Sequence, residues 1–209
     1  ASIVGAGANV CVLHYRDNRA KSRDGDLVLI DAGAEYRGYA ADITRTFPVN
    51  GRFTREQRQL HDLVCAAQAA ALALARPGIA YEAGHDAAVA TLTEGLLSLG
   101  LLSGGVEDAI GRGDYKRYYR HKTGHWLGLD VHDVGEYRID GESRLLEPGM
   151  VFTIEPGLYI PPDDASVPAK WRGIGIRIED DVLVTRDGHR VLTGALERSA
   201  DEVEALMAR

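Results

Sequence analysis

Two apolar runs within residues 26–48 predict a β-hairpin at the centre of the fold. The first run is Leu27–Ala32, which is rich in β-branched residues, and the second extends over residues 39–47. The polar tip at residues 35–38 supplies the reversal, because Gly38 adopts positive φ at little cost. We therefore expect an antiparallel pair whose side chains alternate between two faces.

Each run of this hairpin is interrupted by an aspartate, Asp31 in the first and Asp42 in the second. If the turn centres between Tyr36 and Arg37, the two aspartates face each other directly. Their β-carbons would then be about 4.5–5.5 Å apart, a distance at which like charges repel. Inside an apolar sheet such a pair must share a proton or bind a cation, unless a register slip leaves one aspartate in solvent.

Helical periodicity marks four segments after the hairpin. The clearest helix begins at Thr54, where Thr54 and Gln57 have capping-box spacing, and it stops at residues 76–78. The other predicted helices cover residues 81–99, residues 106–110 and a closing segment capped by Ser199.

Three shorter features have structural interpretations. Residues 10–15 are predicted to form a short strand, in which position alone favours a core role for His14 over a site role. His61 on the first helix is predicted to be a surface group. Residues 114–120 are predicted to form an exposed loop of basic and aromatic residues.

The segment covering residues 121–135 contains three of the seven histidines. His121 and His125 have the i, i+4 spacing of two zinc ligands on a helix. Gly124 is a poor helix residue, however, and the glutamate of an HExxH motif is absent. The glycines favour a strand or loop whose backbone approaches a neighbour closely.

Two C-terminal strands add carboxylates to the candidate site. Residues 150–154 form a predicted strand that ends in Glu155. Residues 173–179 alternate with a period of two, which places isoleucines on one face and Arg177 and Glu179 on the other. The second face also contains two glycines, so it is predicted to be the wall of a ligand cavity.

Four acids in two hairpin-like pairs thus define a candidate cation site, which one histidine could complete. Their total charge of −4 would be neutralised by two divalent cations. Oxygen-dominated ligation with one imidazole favours manganese or magnesium over structural zinc. Two such ions would share a water and lower its pKa, which would generate a hydroxide nucleophile near neutral pH. The candidate ligands are Asp31, Asp42, His125, Glu155 and Glu179.

Composition restricts the class of function. The chain has 209 residues, enough for one large domain or two small ones with a substantial core. Its net charge of −7 argues against a nucleic-acid partner. No apolar run approaches about 18 residues and no secretory signal opens the sequence, so neither a membrane span nor export is expected. Cys11 and Cys65 are too few for a disulfide framework and are expected to be small core residues. These features predict a cytoplasmic location.

Four long segments resemble the catalytic domain of bacterial aminopeptidase P, the Xaa-Pro aminopeptidase of the pita-bread metallopeptidase family. They are LIDAGAEYRGYAADITRTFPVNG, HWLGLDVHDVG, LEPGMVFTIEPGLYI and GIGIRIEDDVLVT. The resemblance spans nearly all of residues 1–209 and implies a single α+β domain with the pita-bread fold. That fold is pseudo-twofold, with a curved, mostly antiparallel sheet covered by helices.

The resemblance also implies a metal centre. The five candidate ligands match the family's ligands to two divalent metal ions, usually manganese. Asp42 and Glu179 match the pair that bridges the two ions. Glu155 matches the general base that acts on the bridging water.

Substrate contacts are implied in the same way. His132 matches a histidine that contacts the scissile bond and supports the transition state. His14, His121 and Arg177 match positions around the bound proline, which reverses the core interpretation of His14. His121 is assigned to catalysis as well, together with Glu155 and His132. The implied reaction releases the N-terminal residue of a peptide with proline at position two, by attack of a metal-bridged hydroxide.

The resemblance has departures as well. Family catalytic domains begin with helices and a strand that this sequence lacks, and full-length members carry a further N-terminal domain. We therefore expect residues 1–209 to be an N-terminally truncated catalytic domain. Because the N-terminal domain contributes to oligomerisation in the family, a homo-oligomer is an expectation that depends on it.

Three alternatives share the fold. Prolidase has the same metal ligands but takes only Xaa-Pro dipeptides. Methionine aminopeptidase shares the ligands too, yet HWLGLDVHDVG and the placement of Arg177 favour the proline-specific branch. A non-catalytic binding module would have lost metal ligands, whereas all five are present here.

Overall fold

Antiparallel pairing organises the computed structural model, which describes residues 2–209. Every strand pair in that range is antiparallel, as the resemblance implies for most of the sheet. The strands of this range are β1 (Ile3–Ala6), β2 (Leu27–Ala32), β3 (Glu35–Tyr36), β4 (Tyr39–Ala40), β5 (Ile43–Pro48), β6 (Arg138–Ile139), β7 (Glu142–Ser143), β8 (Val151–Ile154), β9 (Gly157–Tyr159), β10 (Gly175–Arg177), β11 (Asp180–Val184) and β12 (His189–Val191).

Four α-helices of the described range lie where helical periodicity predicts them. They are α1 (Arg55–Leu72), α2 (Tyr81–Ser98), α3 (Val106–Arg112) and α4 (Ala200–Met207). Thr54 caps α1 through a capping box: its hydroxyl accepts from the Gln57 N–H (3.3 Å), and Gln57 Oε1 accepts from the Thr54 N–H (2.9 Å). Ser199 and Glu202 repeat the arrangement at α4. None of these helices combines the length and hydropathy that crossing a membrane requires.

Replacing Thr54 by alanine is expected to lower the free energy of unfolding by about 1 kcal/mol, because the Gln57 N–H loses its side-chain acceptor. Urea denaturation followed by circular dichroism measures the change. Thr91→Ala is the matched control, because the Thr91 hydroxyl donates to the Ala87 carbonyl within α2 and caps no helix end. Equal losses in the two variants would contradict the capping role.

The central hairpin forms as predicted, but its register differs from the prediction by two residues. β2 pairs with β5 so that Asp31 lies opposite Thr44 and not opposite Asp42. The predicted register is wrong because the turn centres between Arg37 and Gly38, which both adopt positive φ (54° and 86°). A shift of two keeps every side chain on its face, so the two aspartates remain on one side as diagonal neighbours.

A short junction joins two three-stranded sheets. β2 is flanked by β1 and β5 in the first sheet, and β11 is flanked by β12 and β8 in the second. Thr44 and Glu179 connect the sheets by an antiparallel bridge, in which the Glu179 N–H donates to the Thr44 carbonyl (3.0 Å). The junction therefore places the residues that precede β5 beside those that precede β11.

The apolar core lies between the helices and the sheets. α1 packs against α2 and also contacts β8, β9 and β10. Both α1 and α2 contribute residues that are completely buried, among them Leu60, Val64, Leu92 and Leu96. The predicted apolar stripe of α1 is therefore its inward face.

His61 corrects one prediction, because only 1% of its surface is exposed. The side of α1 that carries His61 is covered by Phe53, whose ring centroid lies 4.7 Å away, and by the backbone of β5 at Thr46. Burial lowers the pKa of His61 to about 4. The surface interpretation is wrong because the covering residues come from outside the helix.

Residues 10–15 correct a second prediction, because they do not form a strand. A 3₁₀ helix spans Gly7–Cys11, and a turn follows it. Both edges of β2 are already taken by β1 and β5, so residues 10–15 cannot pair with β2.

Residues 114–120 correct a third prediction, that of an exposed loop. A 3₁₀ helix spans Asp114–Arg117, and Tyr118 and Tyr119 are almost completely buried. The Tyr118 carbonyl accepts from the Tyr159 N–H (2.9 Å), and the Tyr119 hydroxyl bonds to Thr123 (2.6 Å). The partners, Tyr159 and Thr123, lie later in the sequence, and their hydrogen bonds hold Tyr118 and Tyr119 in the interior.

The two cysteines are half-buried free thiols that pack against the core, as predicted. Burial raises the pKa of both Cys11 and Cys65 to about 12. Neither thiol is therefore reactive at neutral pH.

Candidate metal centre

A cavity of about 240 Å³ beside the junction of the two sheets brings the predicted site residues together. Every residue to which the resemblance assigns a role lines this cavity. The residues are Asp31, Asp42, His125, Glu155 and Glu179 as candidate ligands, with His14, His121, His132 and Arg177 around them. A larger, mostly apolar cavity of about 490 Å³ borders α1 and α2, but none of the four acids lines it. The smaller cavity is therefore the candidate site.

The four acids reach the cavity from strand ends. Asp31 lies near the end of β2, and Asp42 immediately precedes β5. Glu155 directly follows β8, and Glu179 directly precedes β11. Because each acid lies at or beside a strand end, the four carboxylates can converge on one cavity.

The predicted alternation of residues 173–179 is confirmed. The three isoleucines of this segment are buried in the core, whereas Arg177 and Glu179 line the cavity. Gly175 has no room for a side chain, because a Cβ there would lie 2.7 Å from the Val10 carbonyl oxygen. Gly175 therefore allows the backbone of Val10 to pack directly against this strand.

His125 places an imidazole nitrogen among carboxylate oxygens. The distances from its Nε2 are 3.5 Å to Asp42 Oδ2, 3.6 Å to Glu155 Oε1 and 4.0 Å to Glu179 Oε1. Asp42, His125 and Glu179 each offer one ligand atom, and these atoms lie within 4.8 Å of one another. His125 Nδ1 donates to the Trp126 carbonyl (3.0 Å), which leaves Nε2 available as a ligand. This donor set fits a divalent cation with mixed oxygen and nitrogen ligation.

Asp31 is held differently from the other acids. Its carboxylate accepts a hydrogen bond from Arg177 Nη2 (2.5 Å) and lies beside Asp42. Burial raises the pKa of Asp31, against the opposing effect of Arg177. Burial acts on Asp42 as well, but hydrogen bonds with His125 and Asp31 outweigh it and lower the pKa of Asp42. One proton shared by the two aspartates explains why the pKa of Asp31 is raised and the pKa of Asp42 is lowered.

Burial disfavours the ionised forms of Glu155 and Glu179. Burial raises the pKa of Glu155 to about 7, although His125 and Arg177 act in the opposite direction. Burial, and then repulsion by Glu155, raises the pKa of Glu179 well above its ordinary value. Ionisation of all four acids together thus requires positive charge beyond that of Arg177, which a divalent cation supplies.

Tyr159 is a site residue that the sequence pattern does not reveal. Its hydroxyl accepts from Arg177 Nη1 (2.9 Å) and lies 2.9 Å from His121 Nε2. His121 Nδ1 donates to the Lys122 carbonyl (2.8 Å), so Nε2 accepts from the Tyr159 hydroxyl. Burial lowers the pKa of His121 to about 4, which keeps the ring neutral. The sequence gives one signal for Tyr159. It follows Gly157 by two residues on strand β9, so the two residues lie on the same face of that strand.

His132 and His14 lie at the exposed rim of the cavity. The His132 ring meets the His125 ring edge-on, with centroids 4.2 Å apart. Partial burial and the neighbouring His125 lower the pKa of His132. The exposed position of His14 agrees with the role that the resemblance implies and not with a core position.

Comparison with known proteins assigns the family. The sequence profile of metallopeptidase family M24 matches residues 1–186. The chain belongs to this family. This M24 chain is 53% identical over 206 residues to the Xaa-Pro aminopeptidase of Escherichia coli (strain K12), a match that covers 99% of the chain and 46% of that protein. The Xaa-Pro aminopeptidase of Haemophilus influenzae is 50% identical, with 99% and 47% covered.

Solved structures agree with this assignment. Aminopeptidase PepP of Pseudomonas aeruginosa superimposes with a TM-score of 0.98 at 57% identity. The match covers 99% of residues 1–209 and 47% of the Pseudomonas chain. Aminopeptidase P of Escherichia coli, in complex with substrate, superimposes with a TM-score of 0.95 at 52% identity. The match covers 99% of residues 1–209 and 47% of the Escherichia coli chain. The predicted pita-bread fold is thereby confirmed. The chain spans about half the length of the curated relatives it matches.

Proposed function

We propose that residues 1–209 are a single catalytic domain of an Xaa-Pro aminopeptidase, which releases an N-terminal residue that precedes proline. The observation that carries this proposal is the convergence of His125 Nε2 with carboxylate oxygens in one cavity of about 240 Å³. The relatives that match nearly the whole chain are named Xaa-Pro aminopeptidase, which does not favour the prolidase alternative.

The metal centre would hold two divalent cations, most suitably manganese. Four carboxylates and a single imidazole form the oxygen-dominated donor set that hard ions prefer. When bound, the ions would supply positive charge that polarises the peptide carbonyl and acidifies water. The holding residues would be Asp31, Asp42, His125, Glu155 and Glu179.

Glu155 is proposed as the residue that moves the proton. Within residues 2–209 no hydrogen bond engages the Glu155 carboxylate, whose nearest basic nitrogen is His125 Nε2 at 3.6 Å, so it can accept and return a proton without breaking one. Glu155 would accept the proton of the attacking water at its carboxylate and pass it to the nitrogen of the departing proline. At the rim, a ring N–H of His132 would donate to the oxygen that gains negative charge during attack.

Arg177 and His121, which line the cavity and both bind the hydroxyl of the buried Tyr159, are proposed to receive the proline ring. Both ring nitrogens of His121 are engaged, by the Lys122 carbonyl and the Tyr159 hydroxyl. We therefore assign His121 to positioning of the substrate and not to proton transfer. His14, at the exposed rim, would contact the substrate from the solvent side.

Cleavage of an Xaa-Pro-Xaa tripeptide is expected to require manganese, and the corresponding Xaa-Pro dipeptide is expected to be cleaved far more slowly. Mass spectrometry of the products, together with metal analysis of the same sample, measures both properties. An Xaa-Ala-Xaa tripeptide is the matched substrate control. Folded, manganese-loaded protein that cleaves only the dipeptide, or neither peptide, would contradict the proposal.

A cytoplasmic location and homo-oligomeric assembly stay predictions. The free thiols of Cys11 and Cys65 support the first, because disulfides are rare in that compartment. Size-exclusion chromatography with light scattering tests the second.

A further inference from the structure

Arg45 lies behind the candidate metal centre, on the strand that follows Asp42. Within β5 its side chain points away from the face that Thr44 presents to Glu179. The Arg45 side chain is only 14% exposed, and it faces Asp180, which is completely buried. The guanidinium group is therefore enclosed by protein on the outer side of the junction.

All five N–H donors of the Arg45 guanidinium group are engaged. Nη1 donates to the carbonyls of Thr44 (2.9 Å) and Glu179 (2.7 Å). Nη2 donates to Asp180 Oδ1 (2.7 Å), and the remaining two bonds reach the carbonyls of residues 196 and 197. Because the guanidinium group is planar and rigid, five bonds fix its position relative to every partner.

Two of these bonds hold the junction that carries the bridging candidates. Thr44 and Glu179 are paired by the Glu179 N–H, which donates to the Thr44 carbonyl (3.0 Å). The Thr44 hydroxyl also donates to Glu179 Oε2 (2.6 Å). Arg45 Nη1 binds the carbonyl oxygens of this same pair, so it fixes the backbone from which the Glu179 carboxylate enters the cavity.

We propose that Arg45 is a positioning residue for the metal centre: its guanidinium group holds Glu179 against Asp42 and thereby sets the affinity for divalent cations. This inference rests on the proposed function, since it requires that the cavity bind a cation. Groups that orient ligands from outside the coordination sphere typically contribute about 10- to 100-fold to metal affinity.

A purely structural role is the competing explanation, because Arg45 also neutralises Asp180. Removal of Arg45 alone would leave a buried carboxylate without its nearest cation and would destabilise the protein. The test therefore uses Arg45→Met combined with Asp180→Asn, which removes both charges. Asparagine at that position still offers an acceptor to the Gln68 amide, which binds Asp180 at 2.9 Å.

Calorimetric titration of metal-free protein with Mn²⁺ distinguishes the two roles. Asp180→Asn alone is expected to bind Mn²⁺ nearly as tightly as the unsubstituted chain. The double variant is expected to bind about 10- to 100-fold more weakly at the same unfolding temperature as Asp180→Asn. Arg58→Met is the matched control, because Arg58 also pairs with several acids, Asp201 and Glu204 among them, but contacts no candidate ligand.

Arg45→Lys provides a second variant if the double variant does not fold. Lysine keeps a positive charge beside Asp180 but cannot reproduce the planar fork that binds both carbonyls. Weakened Mn²⁺ binding and an altered visible spectrum of the Co²⁺-loaded protein are expected. Mn²⁺ affinity equal to that of Asp180→Asn in the double variant, or equal to that of the unsubstituted chain in Arg45→Lys, would overturn the inference. No Mn²⁺ binding by the unsubstituted chain would instead overturn the proposed function, and this inference with it.

Discussion

Glu155→Gln is expected to reduce kcat for an Xaa-Pro-Xaa tripeptide by about 10³-fold while the protein stays folded. Glutamine has the size and shape of glutamate, but its amide does not accept a proton. Steady-state kinetics at saturating manganese, with the metal content of the same sample, measures the effect. Excess manganese is needed because Glu155 is also a candidate ligand.

Glu155 is singled out among the four acids by its lack of hydrogen-bond partners. Within residues 2–209 no hydrogen bond engages its carboxylate, whereas Asp31 is bound by Arg177 and Glu179 by Thr44. The nearest basic nitrogen is His125 Nε2, at 3.6 Å. A carboxylate that is not held by a donor can gain and lose a proton without breaking a hydrogen bond.

The sequence contains a matched control for this substitution. Glu147 begins a Glu-Pro-Gly tripeptide like that of Glu155, and its side chain is exposed and does not line the cavity. Glu147→Gln is expected to leave kcat and metal content unchanged. Residual activity above about a tenth of the unsubstituted rate in manganese-loaded Glu155→Gln would contradict the base role.

The convergence of the acids could be predicted because it depends on periodicity. Period-two alternation places Arg177 and Glu179 on one face wherever the strand pairs, and the hairpin does the same for Asp31 and Asp42. The error of two residues in the hairpin register left these faces unchanged, since only an odd shift would have moved an aspartate to the other side. Asp31 and Asp42 are therefore not directly opposite each other, but they are still close neighbours on one face.

Residues whose role depends on distant partners could not be predicted. The Arg45 guanidinium binds the carbonyl of Glu179, 134 residues away in the sequence, and the Tyr159 hydroxyl binds His121 across 38 residues. The sequence predicts a surface position for His61, because the helix alone does not show what packs on it. Local pattern predicts the face of an element, whereas burial and hydrogen-bond partners are set by the elements that meet it.

The second large effect is on stability. In the presence of a chelator, the free energy of unfolding of Glu155→Gln is expected to exceed that of the unsubstituted chain by about 3 kcal/mol near pH 8. Burial raises the pKa of Glu155 from 4.5 to about 7. The folded chain therefore keeps a proton that the unfolded chain loses, and the stability that Glu155 contributes at low pH is lost as the pH rises through about 7. Glutamine does not titrate and carries no such loss.

Two histidines make the pH profile of the unsubstituted chain alone uninformative. Burial lowers the pKa of both His61 and His121 from 6.5 to about 4. The unfolded chain then binds protons that the folded chain does not, so these histidines make stability rise as the pH increases from 4 to 6.5. Their effect opposes that of Glu155 over an overlapping range. The difference between the two proteins at each pH removes the contributions that they share, such as that of His61.

Urea denaturation at intervals from about pH 4.5 to pH 8 measures this difference, with Glu147→Gln as the control that should show none. Adding excess Mn²⁺ is expected to narrow or reverse the difference, because the ionised Glu155 that costs stability in chelator is the form that binds a cation. A ligand that binds only the folded chain stabilises it in proportion to the logarithm of its concentration over Kd. A difference that does not vary with pH, or a less stable Glu155→Gln variant near pH 8 in chelator, would contradict the burial cost at Glu155. The cavity would then have no need of a cation to replace that proton, and the electrostatic argument for the metal centre would rest on Glu179 and the aspartates alone.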